Sequence, residues 1–123
     1  MIAEKNLLKN RREYRRYPIS ATALFKVKKE KDTVQFETSI SNISQSGLGV
    51  YSYVPIDEGT SVSIEITFIA INGFEQKDTL EGRVIHSSKL GGIYYTSVAF
   101  NQELNPVTQP FLYNHFWKII NWG

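Results

Sequence analysis

From Ser20 to Phe100 the chain mostly alternates between apolar and polar side chains with a period of two. Successive side chains of a β-strand point to opposite faces, so this period places Ala23, Phe25 and Val27 on one face of a strand. Segments rich in Val, Ile, Thr, Tyr and Phe with this character cover residues 21–27, 34–40, 48–53, 61–71, 79–87 and 92–100. The pattern predicts six short β-strands.

Residues typical of turns separate these segments, among them Asn72-Gly73 and Gly91-Gly92. The connections are short enough for hairpins, which join antiparallel strands. A small sheet exposes unpaired edges unless it closes on itself. We therefore predict an all-β fold, a six-stranded antiparallel β-barrel.

The end of the chain follows a helical period. Apolar and aromatic residues recur there every three to four positions, at Leu112, His115, Phe116 and Ile119. Pro110 suits a first helical turn, and Thr108 or Asn105 is expected to cap it. We predict a C-terminal α-helix over residues 111–122 whose aromatic face packs on the barrel mouth. The alternative is that this face forms a dimer contact.

The net charge of +2 is distributed unevenly along the sequence. Residues 1–16 contain six basic and two acidic residues, a net charge of +4, and the remainder carries −2. The basic start lacks the apolar stretch of a secretory signal, and no segment approaches the roughly 20 apolar residues of a membrane span. We therefore expect a cytoplasmic protein without membrane insertion. It would have a basic flexible leader at residues 1–19 and one barrel-plus-helix domain at 20–123.

The sequence shows no pattern typical of an active site. Cysteine is absent, which removes thiolate nucleophiles and thiolate metal ligands. His86 and His115 stand far apart and outside any HExxH spacing, and there is no GxSxG elbow or Walker-type phosphate loop. We predict that the chain is not an enzyme, with no catalytic residues, metal or cofactor. His86 is expected to be a surface residue of a strand.

Four of the five arginines lie within RREYRR at positions 11–16. The simplest interpretation is a solvated basic tail, but such a tail usually mixes lysine with arginine. Arginine is favoured where a planar, bidentate donor is needed, as for phosphate oxygens or for O6 and N7 of guanine. Because Tyr17-Pro18 follow directly, the cluster adjoins the first predicted strand. It is a candidate site for an anionic or guanine-containing ligand.

A second polar motif, NISQSG at positions 42–47, lies between two predicted strands. Asn42 and Ser44 would point to the same side if the chain is extended there. Gly47 is expected to turn the chain with a positive φ. Alone, such residues are ordinary turn chemistry. Their combination with the arginine cluster favours a binding site.

Together, these motifs resemble those of the PilZ domain, the bacterial receptor module for cyclic di-GMP. The family has RxxxR just before the first barrel strand and (D/N)xSxxG after it. The later sequences EGRVI at 81–85 and SVAF at 97–100 look like two further family strands, with Ser97 in place of a glycine. The resemblance covers about residues 10–101 of the chain.

The resemblance implies a split barrel of six antiparallel strands with a helix at one end, and cyclic di-GMP as the ligand. The ligand-binding residues that it implies are Arg11, Arg12, Arg16, Asn42, Ser44 and Gly47, with Arg15 and His86 as further candidates. The arginines would bind guanine edges and the phosphodiester, and the second motif would hydrogen-bond a guanine edge. Asn42 stands where aspartate is commoner, so an amide with one acceptor and one donor replaces a carboxylate.

The expected mechanism is that the ligand orders the leader on the barrel and changes a surface for an unidentified protein partner or for a homodimer. The protein itself would be a monomer or a homodimer. One alternative is a PilZ-like interaction domain that binds no ligand. Another is a barrel that binds single-stranded nucleic acid, whose bases would stack on Tyr51, Tyr53, Tyr94 or Tyr95. Because the body carries −2, no DNA or RNA binding is expected.

Overall fold

The computed structural model describes Tyr17, residues 19–70 and residues 72–122. The elements are β1 (Ala21–Lys29), β2 (Asp32–Ile43), β3 (Gly47–Ser52), β4 (Ser61–Ile69), β5 (Glu75–Leu90), β6 (Ile93–Phe100) and α1 (Pro110–Trp122). Each predicted strand is present, and β5 is longer at both ends than the predicted segment 79–87. The C-terminal helix is also confirmed, beginning at Pro110.

The strands form a closed antiparallel barrel in the order β1-β2-β3-β6-β5-β4. β1 closes the barrel because it pairs on both sides, so that Phe25 lies opposite Phe36 on β2 and opposite Ile64 on β4. Closure gives each strand two hydrogen-bonded neighbours and leaves no long free edge. The predicted all-β, six-stranded antiparallel barrel is confirmed.

The barrel interior is filled by the apolar set of each alternating strand. On β4, Val62, Ile64, Ile66 and Phe68 are buried, while the residues between them face outward. Burying one such side chain stabilises the fold by about 1.5–3 kcal/mol. The alternation read from the sequence therefore accounts for the core of the barrel.

One face of α1 packs on the barrel, as predicted. Leu112 and Phe116 are buried, whereas Phe111 and Trp117 are exposed. The ring of His115 lies 5.2 Å from that of Phe68 on β4, measured between centroids. The helix therefore completes the hydrophobic core at one end of the barrel.

The predicted helix cap is wrong. Asn105 Oδ1 accepts hydrogen bonds from the N–H groups of Val107 and Thr108, which shapes the turn before the helix. The N–H of Leu112, in the first turn of α1, instead donates to a carboxylate oxygen of Asp78 on β5. The cap is thus supplied by a distant strand, which local sequence rules do not consider.

Two β-bulges interrupt the register, one between Ile40 and Asn42 on β2 and one between Val84 and His86 on β5. A bulge inserts one extra residue and shifts the alternation of faces. Ile40 and Ile43 are both buried in the core, so Asn42 lies on the outer face. Without the bulge, strict alternation from Ile40 would direct Asn42 into the barrel.

Within the described part of the chain, no helix is long and apolar enough to cross a membrane. Residues 1–16 of the predicted leader lie outside the described residues. The predicted division into a leader at 1–19 and a barrel domain at 20–123 therefore stays a prediction.

Candidate functional site

The second motif spans the end of β2 and the turn into β3. β2 ends at Ile43, so Ser44 is the first residue of the turn. Its N–H donates to Gly47 O at 2.8 Å, and its Oγ accepts from the N–H of Ser46 at 3.2 Å. The same Oγ donates to Gly47 O at 3.3 Å. Because Ser44 is also buried, its hydroxyl holds the turn in shape.

Gly47 is needed for a different reason from the one predicted. Within the described residues, the glycines with positive φ are Gly59, Gly73 and Gly91, so Gly47 is not one of them. It begins β3, and a Cβ there would lie 2.5 Å from the carbonyl oxygen of Val98 on β6. The expected positive φ is therefore wrong. The close approach of a neighbouring backbone requires glycine at this position.

Asn42 is half-buried on the outer face and is held by a residue from another strand. Its Nδ2 donates to Tyr95 Oη on β6 at 3.0 Å and to Ser41 Oγ at 3.2 Å. The Tyr95 ring lies over Gly49 of β3, where a Cβ would lie 2.7 Å from Tyr95 Cζ. Tyr51 packs against the same ring, with centroids 5.2 Å apart.

From the sequence, Tyr95 was a candidate only as a base-stacking residue in the nucleic-acid alternative, with no connection to Asn42. A usable signal was present in Gly49, which stands inside a predicted strand. An isolated glycine in a strand marks close approach of another group. The register across strands was still needed to identify that group as Tyr95.

The strand register forms one row across the outer face. Asn42 lies opposite Gly49, Gly49 opposite Ser97, and Ser97 opposite His86. Neighbouring strands are about 4.8 Å apart, so the row extends for about 14 Å. The Tyr95 ring covers Gly49 in the middle of the row, and the side chains of Asn42 and His86 lie at its ends.

His86 is an exposed strand residue, as predicted. Its Nε2 lies 2.6 Å from Ser88 Oγ, and its Nδ1 lies 3.8 Å from a carboxylate oxygen of Glu58. A contact between two such exposed side chains contributes little to stability. His86 shares a face with Asn42 but does not contact it, and its role toward a ligand stays a prediction.

Tyr17 connects the arginine segment to the second motif. Its N–H donates to Ile43 O at 2.9 Å, and the N–H of Ile43 donates to Tyr17 O at 3.0 Å. Ile43 stands between Asn42 and Ser44, and Tyr17 directly follows Arg16 in the chain. The backbone that leaves the arginine cluster is therefore paired with the middle of the second motif.

The four arginines of the cluster, Arg11, Arg12, Arg15 and Arg16, lie outside the described residues. The bridge at Tyr17 is thus the described point nearest to them in sequence. The Tyr17 ring also packs edge-on against Phe116 of α1, with centroids 5.9 Å apart and planes at 63°. Tyr17 is consequently in contact with both the second motif and the helix.

Two clefts lined by described residues lie away from the second motif. The barrel has a cleft of about 490 Å³ beside Thr79 and Gln109, and a smaller one of about 180 Å³ beside Val27 and Ile56. Neither cleft includes a residue of the second motif. Among the described residues, no group of three or more His, Asp or Glu side chains is arranged to hold a metal ion.

The sequence model of the PilZ domain matches residues 10–112. The chain belongs to the PilZ domain family. The match includes both motifs and extends beyond the resemblance at 10–101 into the first turn of α1. A search of curated proteins finds no match to this PilZ chain.

Two solved structures are similar to this PilZ domain. The PilZ domain of YcgR from Escherichia coli with c-di-GMP is 20% identical with a TM-score of 0.58, covering 90% of this chain and 93% of that one. The Bacillus subtilis Inhibitor of motility (MotI/DgrA) is 16% identical with a TM-score of 0.65, covering 90% of this chain. The match covers 52% of the Bacillus protein, so this chain spans about half its length. At these identities the comparison shows a shared fold.

Proposed function

We propose that this PilZ domain is a receptor for cyclic di-GMP. The observation that carries the proposal is the backbone bridge between Tyr17 and Ile43, which pairs the residue after Arg16 with the middle of the second motif. The bridge therefore brings the residue that follows the first half of the binding pattern next to the second half. The similar YcgR domain, whose structure is described with c-di-GMP, supports the choice of ligand. PilZ domains are ligand-binding regulatory domains rather than enzymes.

The proposed contacts follow from the chemistry of the ligand. Arg12 and Arg16 bind the O6 and N7 acceptors of guanine and the phosphodiester oxygens, and Arg11 adds a further contact. Asn42 contributes from the outer face of the barrel, and Ser44 from the buried turn beside it. A good bidentate pair between a guanidinium and guanine provides about 1–3 kcal/mol of discrimination. Two or three such pairs with phosphate contacts support a Kd of about 1 μM or below after the ordering cost.

The charge distribution favours a compact anion. The ligand carries two phosphodiester charges, residues 1–16 carry +4, and the remainder of the chain carries −2. A compact dianion would neutralise part of the positive charge of residues 1–16, and it is too small to extend over the negatively charged remainder of the chain. We propose that binding orders residues 1–16 against the barrel and alters a surface read by a protein partner or a second copy. The proposal includes a cytoplasmic location. Reduced proteolytic cleavage within residues 1–16 in the presence of ligand is the expected readout.

Calorimetric titration of the full chain with cyclic di-GMP at moderate salt tests the proposal. Arg16→Ala is expected to weaken binding by at least about tenfold, since it removes one bidentate guanidinium. Lys28→Ala is the control, because it also removes one positive charge. Lys28 is exposed on β1, beside the end of β2 that lies away from the second motif.

No binding by the unmodified chain overturns the receptor function and leaves an interaction domain without a ligand. Unchanged affinity in Arg16→Ala overturns the assignment of the site. An equal loss in Lys28→Ala shows nonspecific charge attraction. Binding of a single-stranded oligonucleotide in place of the cyclic dinucleotide favours the nucleic-acid alternative.

A further inference from the structure

The backbone bridge at Tyr17 is a weak attachment by itself. It is an isolated bridge outside the six strands, made of two hydrogen bonds of 2.9 and 3.0 Å to Ile43. Each hydrogen bond adds little net stability, because an unpaired backbone group bonds to water instead. Fixing the backbone of a residue costs a comparable amount of conformational entropy. The bridge therefore needs a further contact to stay closed.

The ring of Tyr17 provides this contact. It packs against the hydrophobic core and meets the ring of Phe116 edge-on, with centroids 5.9 Å apart and planes at 63°. Phe116 is only 2% exposed, so it faces the core and not the surface. Edge-to-face aromatic pairs stabilise beyond the area that they bury. The position of Tyr17 thus depends on a residue of α1.

Helix α1 is itself fixed to the barrel at its first turn. Leu112 is fully buried, and its N–H donates to a carboxylate oxygen of Asp78 at 2.6 Å. Just before it, Gln109 Nε2 donates to Thr79 O at 3.2 Å. Both acceptors belong to β5. Phe116 is therefore held against the Tyr17 ring by a helix with its own attachments to the sheet.

The turn of the second motif is attached to the segment that leads into this helix. Ser46 O accepts a hydrogen bond from the N–H of Phe100 at 2.8 Å, at the end of β6. Gln45 O accepts one from the N–H of Leu104 at 2.9 Å, and Leu104 is buried in the core. The residue that follows the arginine cluster and the turn of the second motif are consequently both connected to the α1 end of the chain.

We infer that Tyr17 is a positioning residue: its ring, held by Phe116, keeps the bridge closed and so determines where Arg16 enters the proposed cyclic di-GMP site. This role rests on the proposed function and deepens it, because it makes α1 a determinant of affinity although no residue of α1 is a proposed ligand contact. A chain whose bridge is closed for only part of the time binds with an affinity reduced by that fraction. Ligand binding in turn stabilises the bridge, since such coupling is reciprocal.

Calorimetric titration of the full chain with cyclic di-GMP tests this role. Tyr17→Ala keeps the backbone groups of the bridge and removes the ring, so it is expected to weaken binding by about two- to tenfold, the value of an aromatic pair. Tyr17→Phe restores the ring and is expected to rescue the affinity. Phe116→Leu keeps an apolar side chain in the core but removes the aromatic partner. It is expected to weaken binding within the same range.

The double variant distinguishes positioning from a direct contact between the Tyr17 ring and the ligand. Tyr17→Ala combined with Phe116→Leu is expected to bind no more weakly than Tyr17→Ala alone, because the same ring contact can be removed only once. If the two losses add, the positioning role is overturned. Val62→Ala is the control for general destabilisation, since Val62 is buried near the end of β4 that lies away from Phe68 and α1. An equal loss of affinity in Val62→Ala would also overturn the role.

Hydrogen exchange at the Tyr17 N–H gives a readout without ligand. Exchange is expected to be faster in Phe116→Leu and unchanged in Val62→Ala, and ligand is expected to slow it in the unmodified chain. Equal exchange in Phe116→Leu and the unmodified chain would show that α1 does not hold the bridge. If the unmodified chain binds no cyclic di-GMP, the proposed function fails, and the positioning role fails with it. If the chain binds and Tyr17→Ala binds equally well, only the positioning role fails.

Discussion

The carboxylate of Asp78 on β5 accepts a 2.6 Å hydrogen bond from the backbone N–H of Leu112, in the first turn of α1. The N–H of Phe111 also bonds to this carboxylate. The first four N–H groups of a helix have no acceptor within the helix and need one from outside. Here a buried acidic residue, 34 positions earlier in the chain, provides it and attaches the helix to the barrel.

Asp78 makes stability depend on pH. Burial raises the pKa of Asp78 above its ordinary value of 3.8, and the two backbone hydrogen bonds oppose this only in part. The folded state therefore keeps this proton to a higher pH than the unfolded state does. This residue's contribution to the free energy of unfolding is expected to fall as the pH rises from the ordinary value through the raised one.

Asp78→Asn tests this prediction because it keeps an acceptor and cannot ionise. Its free energy of unfolding, relative to the unmodified chain, is expected to increase as the pH rises through that window. Asp78→Ala is expected to lose about 0.5–2 kcal/mol, the usual value of a helix cap. Urea denaturation at a series of pH values measures both. Parallel pH profiles for Asp78→Asn and the unmodified chain would contradict the prediction.

Gly47→Ala is expected to destabilise the barrel by about 1–3 kcal/mol, because the added methyl group would overpack against Val98 O. Gly92→Ala is the control. A Cβ at Gly92 has no atom within 4 Å, and its φ lies outside the left-handed region, so a change within about 0.5 kcal/mol is expected. Denaturant unfolding of the two variants distinguishes close approach from a general effect of removing glycine. Equal effects would show that the β3–β6 contact is not the reason for Gly47.

Ser44→Ala is expected to lower the free energy of unfolding by about 1–3 kcal/mol, since it leaves the N–H of Ser46 without its acceptor in the turn. Ser61→Ala, at an exposed position at the start of β4, is the control. If Ser44→Ala unfolds at the same denaturant concentration as the unmodified chain, the hydroxyl does not hold the turn. Its role would then be limited to the proposed ligand contact.

The aromatic residues of α1 are expected to differ in importance. Phe116→Ala removes a buried ring that contacts Tyr17 and should cost about 3–5 kcal/mol. Phe111→Ala, on the same helix, removes a ring that is 46% exposed and should cost much less. Thermal unfolding compares them, and sedimentation reports any change of oligomeric state. A larger effect of Phe111→Ala, with loss of a dimer, would instead support the dimer alternative for this helix.

The strands and the helix were predictable because their patterns are local. Alternation at β4 places Val62, Ile64, Ile66 and Phe68 on one face, and the core requires such a face. The orientation of Asn42 was not predictable from alternation. Counting from the buried Ile40, a period of two places Asn42 on the inner face of the barrel. The bulge moves Asn42 to the outer face instead.

The partners of the site residues depended on register as well. Nothing near position 42 in the sequence indicates that its amide meets Tyr95, and nothing near position 112 indicates Asp78 as a cap. Gly47 was correctly noted as a special position, but the reason is Val98 on a strand that follows much later. Such contacts join residues that are close only after the barrel has closed.

The six strands, the final helix and the two motifs can therefore be read from the sequence alone, because side-chain period and motif spacing are properties of neighbouring residues. Which groups meet depends on the closed barrel: Tyr17 with Ile43, Asn42 with Tyr95, and Asp78 with α1. The physical reason is that pairing register and bulges place side chains across strands. Register and bulges are determined by the packing of the whole barrel rather than by any single segment.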